Sequence, residues 1–268
     1  MKIELTGTGG ADGIPGFFSD DRVSEHARTH GGKDVRHRAS AVIDGTIRID
    51  FGPDTFGQCQ KLGIRPKDWQ QIVFTHSHDD HFAPRELQYM FPPFLPSDAN
   101  KPVVFGNQAI LDGIGDAFVE AKNLPVQLLR SFTPTQVGAY ELIPIKAYHK
   151  LDEDSLNLIF RSDRTFLYAT DTGTYQDETF EFLNGFRVDA AVIECSEGFA
   201  PSDYWGHLSC DELLKVVDRM RKIGCFHDRT FLCTTHHSHA GNGTHEELER
   251  FLNPQGIQVG FDGFIFEV

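Results

Sequence analysis

The sequence predicts an α/β (α+β) protein in which sheets are covered by helices. Three observations carry that expectation. Short apolar segments of strand character alternate along the chain with segments of helical periodicity. Two of the helical segments open on capping boxes. Turn signals such as Asp44-Gly45 and Asp262-Gly263 separate strand segments. Neither a repeat of fixed period nor a low-complexity stretch interrupts the 268 residues, so one domain is expected over 1–268.

Taken in order, residues 2–6 read as a strand that enters a glycine-rich turn, Thr6-Gly7-Thr8-Gly9-Gly10. No Lys-Ser/Thr follows these glycines, so they are not a nucleotide P-loop. Residues 14–38, rich in Gly, His and Asp, read as a long loop, which in a compact domain is functional or mobile. Residues 40–50 alternate about Asp44-Gly45 as a hairpin of the two-residue kind. Residues 71–75 form a short apolar strand, and residues 107–120 a weaker helix. The Phe-rich run 91–96 could line a substrate entrance, but loop packing is the better reading.

Strands are expected at 137–147, 156–161, 165–169, 190–194 and 230–234, with a weaker helix at 176–183. Arg161 and Arg164 read as a solvated strand edge. Ser209 and Glu212 form a capping box ahead of Leu213, Leu214, Val216, Val217 and Met220, which fall on one helical face. Thr244 and Glu247 repeat the device ahead of Leu248, Phe251 and Leu252. Residues 257–261 and 264–268 read as a hairpin around Asp262-Gly263.

Composition narrows the function. Lys and Arg number 25 against 39 Asp and Glu, a formal charge of −14 without a dense basic cluster. Such a surface repels phosphate backbones, so nucleic acid is not the expected partner. No apolar run of about 18 residues is present, and the opening Met1-Lys2-Ile3-Glu4 lacks the pattern of a signal peptide. Five cysteines without a CxxC pair read as reduced thiols. A cytoplasmic enzyme without membrane contact is expected, and a homodimer is compatible with the sequence.

The anomaly is 13 histidines, several of them clustered. Imidazole is the commonest metal ligand among side chains. The strand 71–75 runs straight into His76-Ser77-His78-Asp79-Asp80-His81. In extended chain, residues two apart point the same way, so His76 and His78 can grip one ion. If the chain then turns, Asp80 and His81 can face a second ion, while Asp79 is solvated between them.

This hexapeptide resembles the HxHxDH motif of the metallo-β-lactamase superfamily. The resemblance implies an αββα sandwich with a dinuclear metal site at the strand ends. It implies three further ligands: His149 after a strand-like run, Asp171 as the bridging carboxylate in Thr170-Asp171-Thr172-Gly173, and His236 after the strand 230–234. His236 has neighbours in His237 and His239, and His239 is the substitute if the register shifts. The implied sets are His76, His78, His149 and Asp171 around one ion, and Asp80, His81, Asp171 and His236 around the other. Imidazole and carboxylate suit Zn or Mn, and Fe as well.

Over nearly the whole chain the sequence is also similar to the phosphodiesterases that act on phosphoribosyl cyclic phosphate in the carbon–phosphorus lyase pathway. The similar segments are Leu5-Thr6-Gly7-Thr8-Gly9-Gly10-Ala11-Asp12-Gly13-Ile14-Pro15, Thr235-His236-His237-Ser238-His239 and Val259-Gly260-Phe261-Asp262-Gly263. Gly206-His207 falls where those enzymes carry a catalytic His. The resemblance implies a metal-dependent hydrolase of a small phosphorylated substrate, with Asp80 orienting the attacking oxygen and His207 as general acid. A lactonase, a thioesterase, a tRNA-processing-like nuclease and a non-hydrolytic metal-binding protein are the alternatives.

One departure is plain. Those relatives hold a structural zinc with a Cys-x-Cys-x-x-Cys loop and a His. Here the loop reads Gly16-Phe17-Phe18-Ser19-Asp20-Asp21-Arg22 without cysteine, followed by His26 and His30. Either Phe17 and Phe18 pack the loop down, which is the favoured reading, or His26, His30 and His239 rebuild a site, with His37 or Asp21 as fourth ligand.

Overall fold

The computed structural model describes residues 1–200 and 204–268. The first half of the chain supplies β1 (Lys2–Gly7), β2 (Ser40–Ile43), β3 (Ile47–Ile49), β4 (Gln71–Val73), β5 (Val103–Gly106) and β6 (Val126–Leu128). The second supplies β7 (Thr135–Val137), β8 (Tyr140–Lys146), β9 (Leu156–Arg161), β10 (Thr165–Ala169), β11 (Ala190–Glu194), β12 (Phe231–Thr235), β13 (Ile257–Val259) and β14 (Phe264–Glu267). Among the described residues they form two seven-stranded sheets, ordered β14-β1-β2-β3-β4-β5-β6 and β13-β12-β11-β10-β9-β8-β7.

Side-chain alternation explains why the sheets stack. In β9, Leu158 and Phe160 face the other sheet while Ile159 faces the helices; in β10, Phe166 and Tyr168 face inward and Leu167 outward. Against these inward residues lie Ile3, Leu5, Ile43, Ile47 and Ile49 of the first sheet. The outer face of the second sheet is covered by the helices Cys210–Lys222 and His245–Leu252, through Leu213, Val217, Met220, Leu248 and Leu252. Both helices begin at the expected capping boxes on Ser209 and Thr244. On the other side, Ile72, Phe74 and Val104 pack under Ile110 and Ile114 of the helix Gln108–Ala117, which Asn107 caps. The result is the expected αββα sandwich of two sheets with helices outside.

Several sequence expectations need correction. Residues 14–38 are not loop throughout: Arg22–His30 is a helix, because Asp21 Oδ1 accepts from Val23 N at 2.8 Å and Ser24 N at 3.0 Å. Neither expected device pins this segment. Phe18 is fully exposed and Phe17 is 65% exposed, while Ile14, Val23 and Ala27 form its small buried cluster. The tie is His239, whose Nδ1 lies 2.7 Å from Asp21 Oδ2 and whose Nε2 lies 2.8 Å from Asp12 Oδ2.

The hairpin at 40–50 pairs Ile43 with Ile47, so its loop has three residues, 44–46, and not two. Residues 137–147 break at Gly138 into the antiparallel pair β7 and β8. Residues 257–268 are not a hairpin: β13 pairs with β12 in one sheet and β14 with β1 in the other. The Asp262-Gly263 turn crosses between sheets, held by Gly263 N donating to Leu5 O at 2.7 Å. The helix Thr55–Leu62 and the short strands β5 and β6 carried no expectation. In the run 91–96, Phe91 is buried, whereas Phe94 is exposed and leans on Tyr89.

Two stability predictions follow from these caps. Thr244→Ala should lower unfolding free energy by about 1 kcal/mol in denaturant titration. Burial pushes the Asp21 carboxyl up, but hydrogen bonds from Ser19 and Ser24 and the nearby His239 outweigh it and hold it well below the ordinary carboxylate range. A depressed folded pKa stabilises above the unfolded value of about 3.9 and is lost as pH falls through the folded value. Proteolysis within 14–30 should therefore accelerate below about pH 4 in the wild type. In Asp21→Ala, which removes both the cap and the contact with His239, it should exceed the wild-type rate already at neutral pH.

Candidate metal centre

The carboxyl ends of the strands converge at one edge of the sandwich. Asp50 follows β3, the segment 76–81 follows β4, His149 follows β8, Asp171 follows β10, Glu194 ends β11 and His236 follows β12. Asp50, Asp171 and His236 have φ of 57°, 44° and 55°. This left-handed conformation is disfavoured for residues with a Cβ, and such strain concentrates at functional sites. Here it accompanies an abrupt turn at the strand end, which brings Asp171 and His236 into the cleft and Asp50 behind His81.

Two groups of side chains form around Asp171, with the ligating atoms of each group within 4.8 Å of one another. In the first, His78 Nδ1 lies 3.0 Å from His76 Nε2 and 2.9 Å from His149 Nε2. Asp171 Oδ2 is 3.4 Å from both His76 Nε2 and His149 Nε2. In the second, His81 Nε2 is 3.0 Å from Asp80 Oδ2 and 3.2 Å from Asp171 Oδ1. His236 Nε2 is 3.0 Å from Asp171 Oδ1 and 3.5 Å from Asp80 Oδ2. Asp171 thus gives one oxygen to each group.

These separations fit divalent ions. Ligands at 2.0–2.1 Å in a tetrahedron stand roughly 3.3 Å apart. Moreover, Asp80 Oδ2, His81 Nε2 and His236 Nε2 are buried without any hydrogen-bond partner. Buried polar atoms are rarely left so unless another ligand satisfies them. The opposite nitrogens are fixed: His81 Nδ1 by Asp50 at 2.7 Å, His236 Nδ1 by Ser196 Oγ at 2.7 Å, His149 Nδ1 by Gly206 O at 2.9 Å and His76 Nδ1 by Thr75 Oγ1 at 3.0 Å. Such outer contacts set the tautomer and aim the free nitrogen.

The two groups differ electrostatically. Burial pushes His149 down to about 4, against the pull of Asp171, and lowers His78 as well. Burial also opposes charge on His81 and His236, but the surrounding carboxylates win. Asp80, Asp171 and Asp50 hold His81 well above the ordinary imidazole value, and Asp171 raises His236 to about 10.

His207 stands beside both groups, its ring 4.8 Å from that of His149 and 5.3 Å from that of His236. Its Nδ1 lies 2.7 Å from Glu194 Oε1. Glu194 is fully buried and accepts from Thr172 N, Ser196 N, Ser196 Oγ and Leu208 N, so the site is built around its charge. Burial lowers the His207 pKa, yet the Glu194 carboxylate prevails and raises it. The 205–207 turn packs so tightly on Gly173 that a Cβ there would come within 1.7 Å of Trp205 O.

The structure therefore brings His76, His78, Asp80, His81, His149, Asp171, His236 and His207 together. Asp79 is exposed, and His237 is buried with Nε2 near Thr234 Oγ1. His239 sits between Asp12 and Asp21, so it does not substitute for His236. Among the described residues, no group of three candidate ligands contains His26, His30 or His239. Rather, His26 stacks on His30 at 4.0 Å. Asp50, Glu194 and Ser196 were missed by sequence reasoning, since each meets its histidine through a contact without local spacing.

Comparison with known proteins agrees with this geometry. The model of the beta-lactamase superfamily domain matches residues 46–237, and the chain belongs to that family. Curated protein sequences gave no match. Among solved structures, a new diphosphatase from the PhnP family is similar at 25% identity and a TM-score of 0.77, over 100% of this chain and 97% of that one. Zn(2+)-bound PqqB from Methylobacterium extorquens is similar at 11% identity and a TM-score of 0.76, over 100% of each chain. Human tRNase Z, short form, is similar at 15% identity and a TM-score of 0.66, over 100% of this chain and 99% of that one. The last two share the fold.

Metal analysis should find about two divalent ions per chain in protein never exposed to chelator. Asp171→Ala should lower occupancy at both positions, because its oxygens divide between the groups. His239→Ala should leave the metal content unchanged; loss of an ion in that variant would contradict the placement of His239 with Asp12 and Asp21.

Proposed function

We propose that this member of the β-lactamase superfamily is a dinuclear metal-dependent phosphodiesterase acting on a small cyclic phosphate, with phosphoribosyl 1,2-cyclic phosphate as the model substrate. The observation that carries the reading is the Glu194–His207 pair beside two ligand groups that share Asp171. Two divalent ions, Zn or Mn by the donor set and Fe as a further candidate, supply Lewis acidity and a water-derived nucleophile at neutral pH.

The chain's own residues do the rest. Asp171 divides its two oxygens between the groups and so fixes their spacing. Asp80, which turns Oδ2 toward the second group, keeps its other carboxylate oxygen to accept a hydrogen bond from the attacking oxygen and orient it. Glu194 holds the Nδ1 side of His207, which leaves Nε2 as the site that gives a proton to the departing alkoxide. Among the described residues, neither Lys nor Arg lines the cleft, whose volume is about 230 Å³. A compact phosphodiester suits it, and the formal charge of −14 disfavours an RNA substrate.

His207→Ala should slow hydrolysis of an alkyl phosphodiester by about 10²–10⁴, with a much smaller loss for a nitrophenyl ester, which departs without a proton. Equal losses would remove His207 from the acid role. Glu194→Gln tests the pair differently. Because Glu194 raises the His207 pKa, its loss should move the alkaline limb of the kcat profile to lower pH. A lactone or thioester turned over far faster than any phosphodiester by the metal-loaded protein would overturn the reading.

A further inference from the structure

A second cavity lies on the helix-covered side of the first sheet. Its volume is about 540 Å³, against about 230 Å³ for the ligand cleft, and the two share no lining residue. That size falls within the roughly 300–1,000 Å³ of small-molecule sites. Four rings form its walls: Phe51, Phe56, Trp69 and Tyr89. Phe56 is 70% exposed and Tyr89 49% exposed, so large apolar surface meets water at its mouth.

Its polar groups are few and unevenly placed. Trp69 is 4% exposed, and its indole N–H is buried without a hydrogen-bond partner. A buried donor left unmade is costly unless an acceptor arrives. Lys67, two residues earlier in the chain, also lines the cavity, exposed and making no salt bridge among the described residues. Glu86, Tyr89 and Met90 line it as well. The lining thus holds one cation, Lys67, and one acid, Glu86, beside four aromatic rings and the unpaired Trp69 N–H.

We propose that this cavity is a binding site for a flat aromatic acid, its rings held among Phe51, Phe56 and Tyr89 and its anionic end met by Lys67 and the Trp69 N–H. The occupant would rest close to the metal-ligand loop. Phe51 follows Asp50, which holds His81, and Gly52 packs so closely beneath the Asp80 carbonyl that an added Cβ would come within 2.0 Å of its oxygen.

The test uses two fluorescent probes with the full chain. 1-Anilinonaphthalene-8-sulfonate carries rings and a sulfonate; N-phenyl-1-naphthylamine carries the same rings without charge. Saturable one-site binding of both is expected in the wild type. Leu95→Trp, which fills the cavity, should weaken both at least tenfold. Lys67→Ala should weaken the sulfonate several-fold and leave the neutral probe unchanged. Trp69→Phe, which keeps a ring and removes the N–H, should weaken the sulfonate more than the neutral probe. Absence of saturable binding in the wild type would overturn the proposal. So would a Leu95→Trp variant that is folded by circular dichroism and binds both probes as the wild type does. Equal affinities of wild type and Lys67→Ala for the sulfonate would overturn the assignment of an acid.

Discussion

Asp171 places a carboxylate where water barely reaches, with imidazole nitrogens of His76, His81, His149 and His236 at 3.0–3.4 Å from its two oxygens. Burial alone would raise its pKa. The surrounding imidazoles, His236 foremost, hold its pKa well below the ordinary value instead. A buried charge without a partner is strongly destabilising, so this position demands positive charge from somewhere. Protons on His81 and His236 can provide it, and so can divalent ions in their place. Metal and proton therefore compete for the same nitrogens.

That demand explains why the architecture needs both sheets. The first sheet delivers Asp50 and the segment 76–81; the second delivers His149, Asp171, Glu194 and His236. Neither sheet holds a complete group. The relative position of the two halves is set by the dry interior, where Ile3, Ile43 and Ile49 meet Leu158, Phe166 and Tyr168. Close packing at that interface transmits strain, so a change of volume there shifts the candidate ligands of one sheet relative to those of the other. Beneath the first sheet the fully buried Arg48 ties Asp50 O, Thr6 Oγ1, Thr55 Oγ1 and Gln58 Oε1 together, and so steadies the residue that aims His81.

What the sequence made legible follows from the range of the interactions. Four candidate ligands in the segment 76–81 share one strand end, so their spacing is visible in one dimension. Both capping boxes are also local, and both helices begin where they predict. Glu194 meets His207 across 13 residues and Asp50 meets His81 across 31, and no local pattern marks either pair. The Asp262-Gly263 turn has hairpin chemistry, but the partner strands of β13 and β14 lie in different sheets, a tertiary choice that outweighs the turn signal. Strands β5 and β6 are short, with 4 and 3 residues, too few to display a period.

The helix Arg22–His30 buries only Val23 and Ala27 as apolar residues, too few to display a period, and its cap residue does two jobs. Asp21 closes the first turn through Oδ1 and meets His239 through Oδ2. The similar phosphodiesterases assign this segment to a thiolate zinc site, and here one imidazole between Asp12 and Asp21 takes its place. The exchange has a structural consequence. A metal joins several residues at a single point, whereas this tie depends on one carboxylate whose loss removes both the cap and the clamp. The neighbouring contact compensates: Arg22 forms a two-pronged pair with Glu247 at 2.9 Å for each prong and donates to Asn242 O at 2.7 Å, docking the helix independently of Asp21. Asp12 and Ser238 line the ligand cleft, so the tie positions part of its wall. The departure from the similar sequences therefore changes how the wall is held and leaves both ligand groups intact.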